Sequence, residues 1–95
     1  MQFAVHALDV PNFAAKRQAV HTEHVAHIKA SKDHGLTIVM GGPLLADDGG
    51  SSVGSLMVFD APDRAAMEKF NRADPFDKTG VWANVEIQRF DKRNG

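Results

Sequence analysis

Three histidines recur at three-residue spacing, His21, His24 and His27, just after the basic pair Lys16-Arg17. At about 100° per residue, Phe13, Arg17, Val20, His24, Ile28 and Ser31 share one face of a helix. Val20 and Ile28 mark that face as the inward one, so an arginine and an imidazole are carried toward the core. Such groups are costly there unless they are paired or line a cavity. Two readings follow. The stripe is a pocket wall bearing a proton-transfer group and a cation. Alternatively, His24 is a core histidine bonded to a backbone carbonyl, and Arg17 snorkels to the rim. The residues alone lean slightly to the second.

Adjacent histidines three apart could share a metal ion. His21 and His27, however, diverge by about 120° around the axis, so one helix does not supply three ligands. His21-Thr22-Glu23-His24 is also not H-E-x-x-H. A metal site would have to draw on His6 or His34. Solvated or capping roles suit His21 and His27 better, and no metal is expected.

Asp74 precedes Pro75, which favours extended geometry and makes it a natural N-cap for the turn over 75–79. A cap uses one carboxylate oxygen and leaves the other free to receive the Nδ1–H of an imidazole. Gly41-Gly42-Pro43 lacks the lysine of a P-loop and the dinucleotide fingerprint. Gly54-Ser55 is no nucleophile elbow, because G-x-S-x-G is absent. Ser55 can still put a hydroxyl at a pocket mouth.

The elements that must position these groups follow from periodicity. Residues 2–8 alternate and read as a strand, and Asn12 is available to cap the helix that runs from Phe13 to about His34. Gly35 is its C-cap. Leu36 to Met40 is a second strand, ended by Gly41-Gly42-Pro43. A polar loop, Ala46 to Ser52, leads into a third strand, Val53 to Phe59, forming an antiparallel hairpin. Asp60-Ala61-Pro62-Asp63, with Asp60 as the capping acid followed by an early proline and a second acid, starts a second helix that runs to about Asn71, with Ala66, Met67 and Phe70 as its apolar side. After the turn closed by Gly80, Val81 to Phe90 is the last strand. Val81, Ala83, Val85 and Ile87 face one way; Trp82 and Phe90 face the other.

The order β, α, β, β, α, β is the split βαβ arrangement, an α+β ferredoxin-like fold. Right-handed crossovers put both helices on one face of a four-stranded antiparallel sheet. The other face, carrying Trp82 and Phe90, then needs cover, so a homodimer or higher assembly through the sheets is expected. The chain of 95 residues is long enough for one domain, 1–95. A net charge of -1 with scattered basic residues gives no reason to expect nucleic acid or an anionic membrane as partner. Without cysteine, disulfides and thiolate metal sites are excluded. The first residues lack the pattern of a signal peptide, and no apolar run approaches membrane-spanning length, so a cytoplasmic protein is expected.

The combination resembles the YCII-related family. The resemblance rests on Lys16, Arg17 and His24, on Gly42-Pro43, on Gly54-Ser55, on Ala73-Asp74-Pro75-Phe76 and on Gly80, and it spans the whole chain. It implies a ferredoxin-like domain that dimerises through its sheets, with a His–Asp catalytic pair carried onto His24 and Asp74. Arg17, Ser55, Gly42, Pro43 and Phe76 are the expected substrate contacts. One branch of the family is a dehydrochlorinase acting on chlorinated hydroxyhydroquinones. The chain departs from the family pattern at His21-Thr22, where Arg-Pro is frequent, and at Phe76, where Tyr is frequent. Both lie beside the expected pocket, so substrate identity does not carry over.

The expected function is thus acid–base proton transfer without a cofactor, driving elimination or isomerisation of a small cyclic or aromatic hydroxylated compound. In that reading His24 is base and acid, Asp74 fixes its tautomer, and Arg17 balances an anionic substrate. The alternative is a non-catalytic dimeric module that binds a small ligand or another protein. A third reading is a metal-dependent enzyme built on the histidine cluster.

Overall fold

The computed structural model describes all 95 residues. Along the chain it has β1 (Gln2–Asp9), α1 (Ala14–Lys29), a 3-10 turn (Ser31–His34), β2 (Thr37–Leu45), β3 (Ser52–Asp60), α2 (Arg64–Arg72), α3 (Pro75–Lys78) and β4 (Trp82–Phe90). The strands form one antiparallel sheet in the order β2-β3-β1-β4. The helices lie on one face of it, giving the ferredoxin-like α+β architecture.

Alternation along β1 sorts its side chains. Phe3, Val5 and Ala7 are fully buried, whereas His6 and Leu8 are exposed on the opposite face. Across the ladders Phe3 meets Phe59, Val5 meets Met57 and Ile87, and Ala7 meets Ser55 and Val85. Met67 and Phe70 of α2, Phe76 of α3, and Leu36, Ala61, Val81 and Trp82 close over these to form the core. Each fully buried large side chain contributes about 1.5–3 kcal/mol. Val20 and Ile28 of α1 pack at the edge of this cluster.

Several boundaries differ from the sequence reading, each for a local reason. Asn12 does not cap α1: it adopts the left-handed region (φ 64), and Phe13 takes the cap position with no side-chain hydrogen bond. The long helix gives way at Lys29 to the 3-10 turn, which Gly35 ends at φ 79. β2 is not stopped by Gly41-Gly42-Pro43 but continues to Leu45. It is an edge strand, where a proline without an N–H need not break a ladder. Asp63, not Asp60, caps α2, accepting from the Ala66 N–H at 2.8 Å.

Trp82 is the largest correction. It belongs to the core and is only 6% exposed, instead of lying on the uncovered face with Phe90. Leu8 pairs with Asn84, but Asp9 pairs with Trp82, so Ala83 is an extra residue in β4. That bulge changes the parity of the strand and turns the indole inward. It also sets Asp9 and Trp82 side by side beneath α1.

Gly54 has a packing reason. A Cβ there would lie 2.3 Å from the Ala7 carbonyl oxygen and 3.1 Å from Leu44 Cδ1. Only glycine lets β3 approach β1 this closely, and the neighbouring Ser55 is held at a fixed place on the helix-covered face.

Candidate active site

α1 does not rest flat on the sheet. Between it and the β2–β3 hairpin lies a cavity of about 570 Å³, running beside the helix from Ala14 to Lys29. Arg17, His21, His24, Val25 and Ile28 form its helical wall; Ile38, Gly42, Pro43, Ser55 and Met57 are in the strand wall. Of the inward stripe of α1, Arg17, His24 and Ile28 line this cavity, whereas Val20 packs only against the core.

His24 is held from behind. Its Nδ1 lies 2.8 and 2.9 Å from the two carboxylate oxygens of Asp74. Asp74 is 1% exposed and caps α3, where its Oδ1 also accepts the Phe76 N–H at 2.9 Å. One oxygen therefore serves both the cap and the imidazole. A carboxylate can only accept, so Nδ1 carries the proton, and in the neutral ring Nε2 is left with its lone pair. Nε2 has no protein partner and is not enclosed. The side chain of His24 is 12% exposed, and it lines the cavity.

Aromatic packing fixes the ring. Phe76 stacks on the imidazole at 4.1 Å and 12°, and Trp82 meets it edge-on at 6.1 Å. Phe76 is 0% exposed and absent from the cavity wall. The substrate contact expected of it gives way to a supporting role behind the imidazole. Gly42 and Pro43 do line the cavity, as does Ser55.

Arg17 is also placed differently from expectation. Its Nη1 donates to both oxygens of Asp9 at 2.9 and 3.0 Å, and its Nη2 donates to Ser55 Oγ at 2.8 Å. The guanidinium lies 4.5 Å from the Phe76 ring centre. The side chains of the pair are 9% and 5% exposed. Its charge is already met by Asp9, so it does not stand free to balance an anionic substrate. Asp9 was missed in the sequence, although it falls in phase with Phe3, Val5 and Ala7 and so had to point inward.

The histidine cluster does not converge. His24 turns to Asp74, while His27 Nε2 reaches the Phe70 carbonyl oxygen at 2.9 Å and its ring stacks on Phe70. His21 is exposed at the cavity wall.

Asp77, one turn beyond Asp74, has its carboxyl pushed above the ordinary value of 3.8, first by burial and then by the charge of Asp74, against a lowering by Arg72. A raised folded-state value means that ionisation of Asp77 opposes folding. Its favourable contribution is complete below the unfolded value and is lost as pH rises through the folded one. Asp77→Asn is therefore expected to melt above wild type at neutral pH, with the difference disappearing well below pH 3.8. Thermal denaturation at the two pH values checks this.

The comparisons with known proteins agree with this fold. A YCII-related domain matches residues 1–91. The chain belongs to the YCII-related family. An uncharacterized protein of Haemophilus influenzae is 28% identical over 96 residues, covering 97% of this chain and 98% of that one. Among solved structures, 5-chloro-2-hydroxyhydroquinone dehydrochlorinase from Burkholderia phenoliruptrix, in complex with 2,5-dihydroxybenzoquinone, superposes with a TM-score of 0.84 at 26% identity, covering 96% of this chain and 94% of that one. A Pseudomonas aeruginosa protein, at 16% identity over 98% of this chain and 93% of its own, has a TM-score of 0.57 and shares the fold alone.

Proposed function

We propose that this YCII-family chain is a cofactor-independent enzyme that moves a proton on a small hydroxylated ring and so drives elimination, as a dehydrochlorinase does, or isomerisation. The observation that carries the reading is the imidazole of His24, bound at Nδ1 by a buried Asp74, with an unpartnered Nε2 at a cavity wall. The cavity volume falls within the range of small-molecule sites, about 300–1,000 Å³.

The chemistry follows from that arrangement. Nε2 takes a proton from the substrate, and Asp74 stabilises the resulting imidazolium while keeping the ring in the tautomer that leaves Nε2 bare. The electron pair released on the substrate forms a new double bond. In an elimination it expels the leaving group, chloride in a chlorinated substrate, so one H and one Cl depart together. In an isomerisation His24 returns the proton to another atom. Neither route changes the oxidation state of an external partner.

The dehydrochlorinase likeness supplies the substrate class to test: the expected result is chloride release from 5-chloro-2-hydroxyhydroquinone faster than in buffer. Binding without chloride release would favour the non-catalytic module instead.

The active form in this reading is a homodimer joined through the open sheet faces. Leu8, Met40 and Phe90 are 42%, 53% and 41% exposed there, and Leu56, at the centre of the same face between His6 and Gly42, is half-buried. Apolar side chains left open on one sheet face support an interaction surface there. Light scattering is expected to give twice the 10.3 kDa chain mass, and Leu56→Asp is expected to halve it. A variant that keeps the doubled mass would contradict the assembly.

A further inference from the structure

We propose that Ser55 is the hydrogen-bond donor that receives a substrate oxygen beside His24, with Asp9 and Arg17 as positioning residues that aim it. The inference rests on the acid–base reading of the cavity and names the group the substrate must bring: a phenolic or quinone oxygen that gains negative charge as the proton leaves.

A serine hydroxyl offers one donor and two lone pairs. Arg17 Nη2 fills a lone pair of Ser55 Oγ at 2.8 Å, and a guanidinium cannot accept in return. The hydroxyl proton has no acceptor among the hydrogen bonds of the protein. Ser55 is 2% exposed, yet it lines the cavity, so the cavity is where that proton finds a partner. A donor that itself receives a charged hydrogen bond is polarised and donates more strongly. The arrangement is one fixed donor set before any reaction, which is how developing negative charge is best stabilised.

Arg17 acts through Ser55 and not on the substrate directly. Asp9 takes its Nη1 with both oxygens, Ser55 takes its Nη2, and Phe76 covers its face at 4.5 Å. The same Phe76 ring carries His24 at 4.1 Å. One buried phenylalanine thus sets the spacing between the strut that aims the hydroxyl and the imidazole that takes the proton.

The test uses the intact protein and 2,5-dihydroxybenzoquinone as probe, read by the fluorescence of the single tryptophan, Trp82, which lies edge-on to His24. Ser55→Ala is expected to weaken the quinone about 10- to 100-fold, the loss of a hydrogen bond to a charged group. Arg17→Lys keeps a cation for Asp9 but cannot hold Ser55 as well. It is expected to weaken binding several-fold in the wild-type background and by less than a factor of two when combined with Ser55→Ala. A direct contact between Arg17 and the ligand would give the same loss in both backgrounds, and that would overturn the proposal. So would Ser55→Ala binding as tightly as wild type, or no binding by the wild type. Should Arg17→Lys not fold, the neutral pair Asp9→Asn with Arg17→Gln replaces it in the same cycle. These readouts are affinities, whereas the acid–base reading stands or falls on the rate of the His24 variant, so the two can fail separately.

Discussion

His24→Gln is expected to lower chloride release from a chlorinated hydroxyhydroquinone by about 10²–10⁴-fold, the usual contribution of a positioned general base. Glutamine is neutral and fills most of the space against Phe76, so the assembly should change little, and the melting temperature reads what the lost donor to Asp74 costs. Asp74→Asn should also slow turnover, but by another route. An amide can donate to Nδ1 and so stabilise the wrong tautomer, with the proton on Nε2, where the substrate needs a lone pair. Its Oδ1 still accepts from the Phe76 N–H, which separates this variant from a mere loss of the cap. Full activity in His24→Gln would remove the imidazole from the mechanism. Progress curves together with thermal melts on both variants decide between lost chemistry and lost folding.

Arg17→Met carries the largest expected effect on stability. Asp9 is nearly enclosed, and Arg17 supplies the charge that faces it at 2.9 Å. Removing one partner of a buried pair leaves an uncompensated charge and costs about 3–5 kcal/mol. A small domain has about 5–15 kcal/mol in total, so the loss is a large fraction of its stability. Adding Asp9→Leu should recover much of it, because two apolar side chains of similar volume can replace a buried pair with little loss. Denaturant midpoints of the single and double variants measure this. A single variant as stable as wild type would mean that Asp9 is wet and unpaired in solution. The recovered double variant should still bind the quinone poorly, since nothing then aims Ser55.

Much of this site could be read from residue order. The apolar neighbours of Arg17 and His24 on α1 required both to turn inward, and Asp74-Pro75 announced an N-cap with a carboxylate to spare. The pairing of His24 with Asp74 was not contained in local pattern, because fifty positions separate them. Only the family resemblance joined the two before the structure did. Asp9 was readable: an acid in phase with Phe3, Val5 and Ala7 needs an inward cation, and Arg17 was already in hand. Its place next to Val10-Pro11 hid it among turn residues. Trp82 was not readable, because a single extra residue, Ala83, inverts the alternation of β4, and nothing in its type signals a bulge. The continuation of β2 through Gly41-Gly42-Pro43 depends likewise on its place at the sheet edge, a property of topology and not of the segment.

The most direct measurement is a ring-nitrogen NMR titration of His24 set beside the pH profile of chloride release. The expected result is Nδ1 protonated throughout, Nε2 bare at the alkaline end, and activity falling on the acid side at the same pH at which Nε2 gains its proton. Activity that passes unchanged through the protonation of Nε2, or a resting ring with its proton on Nε2, would contradict the assignment of His24 as the base.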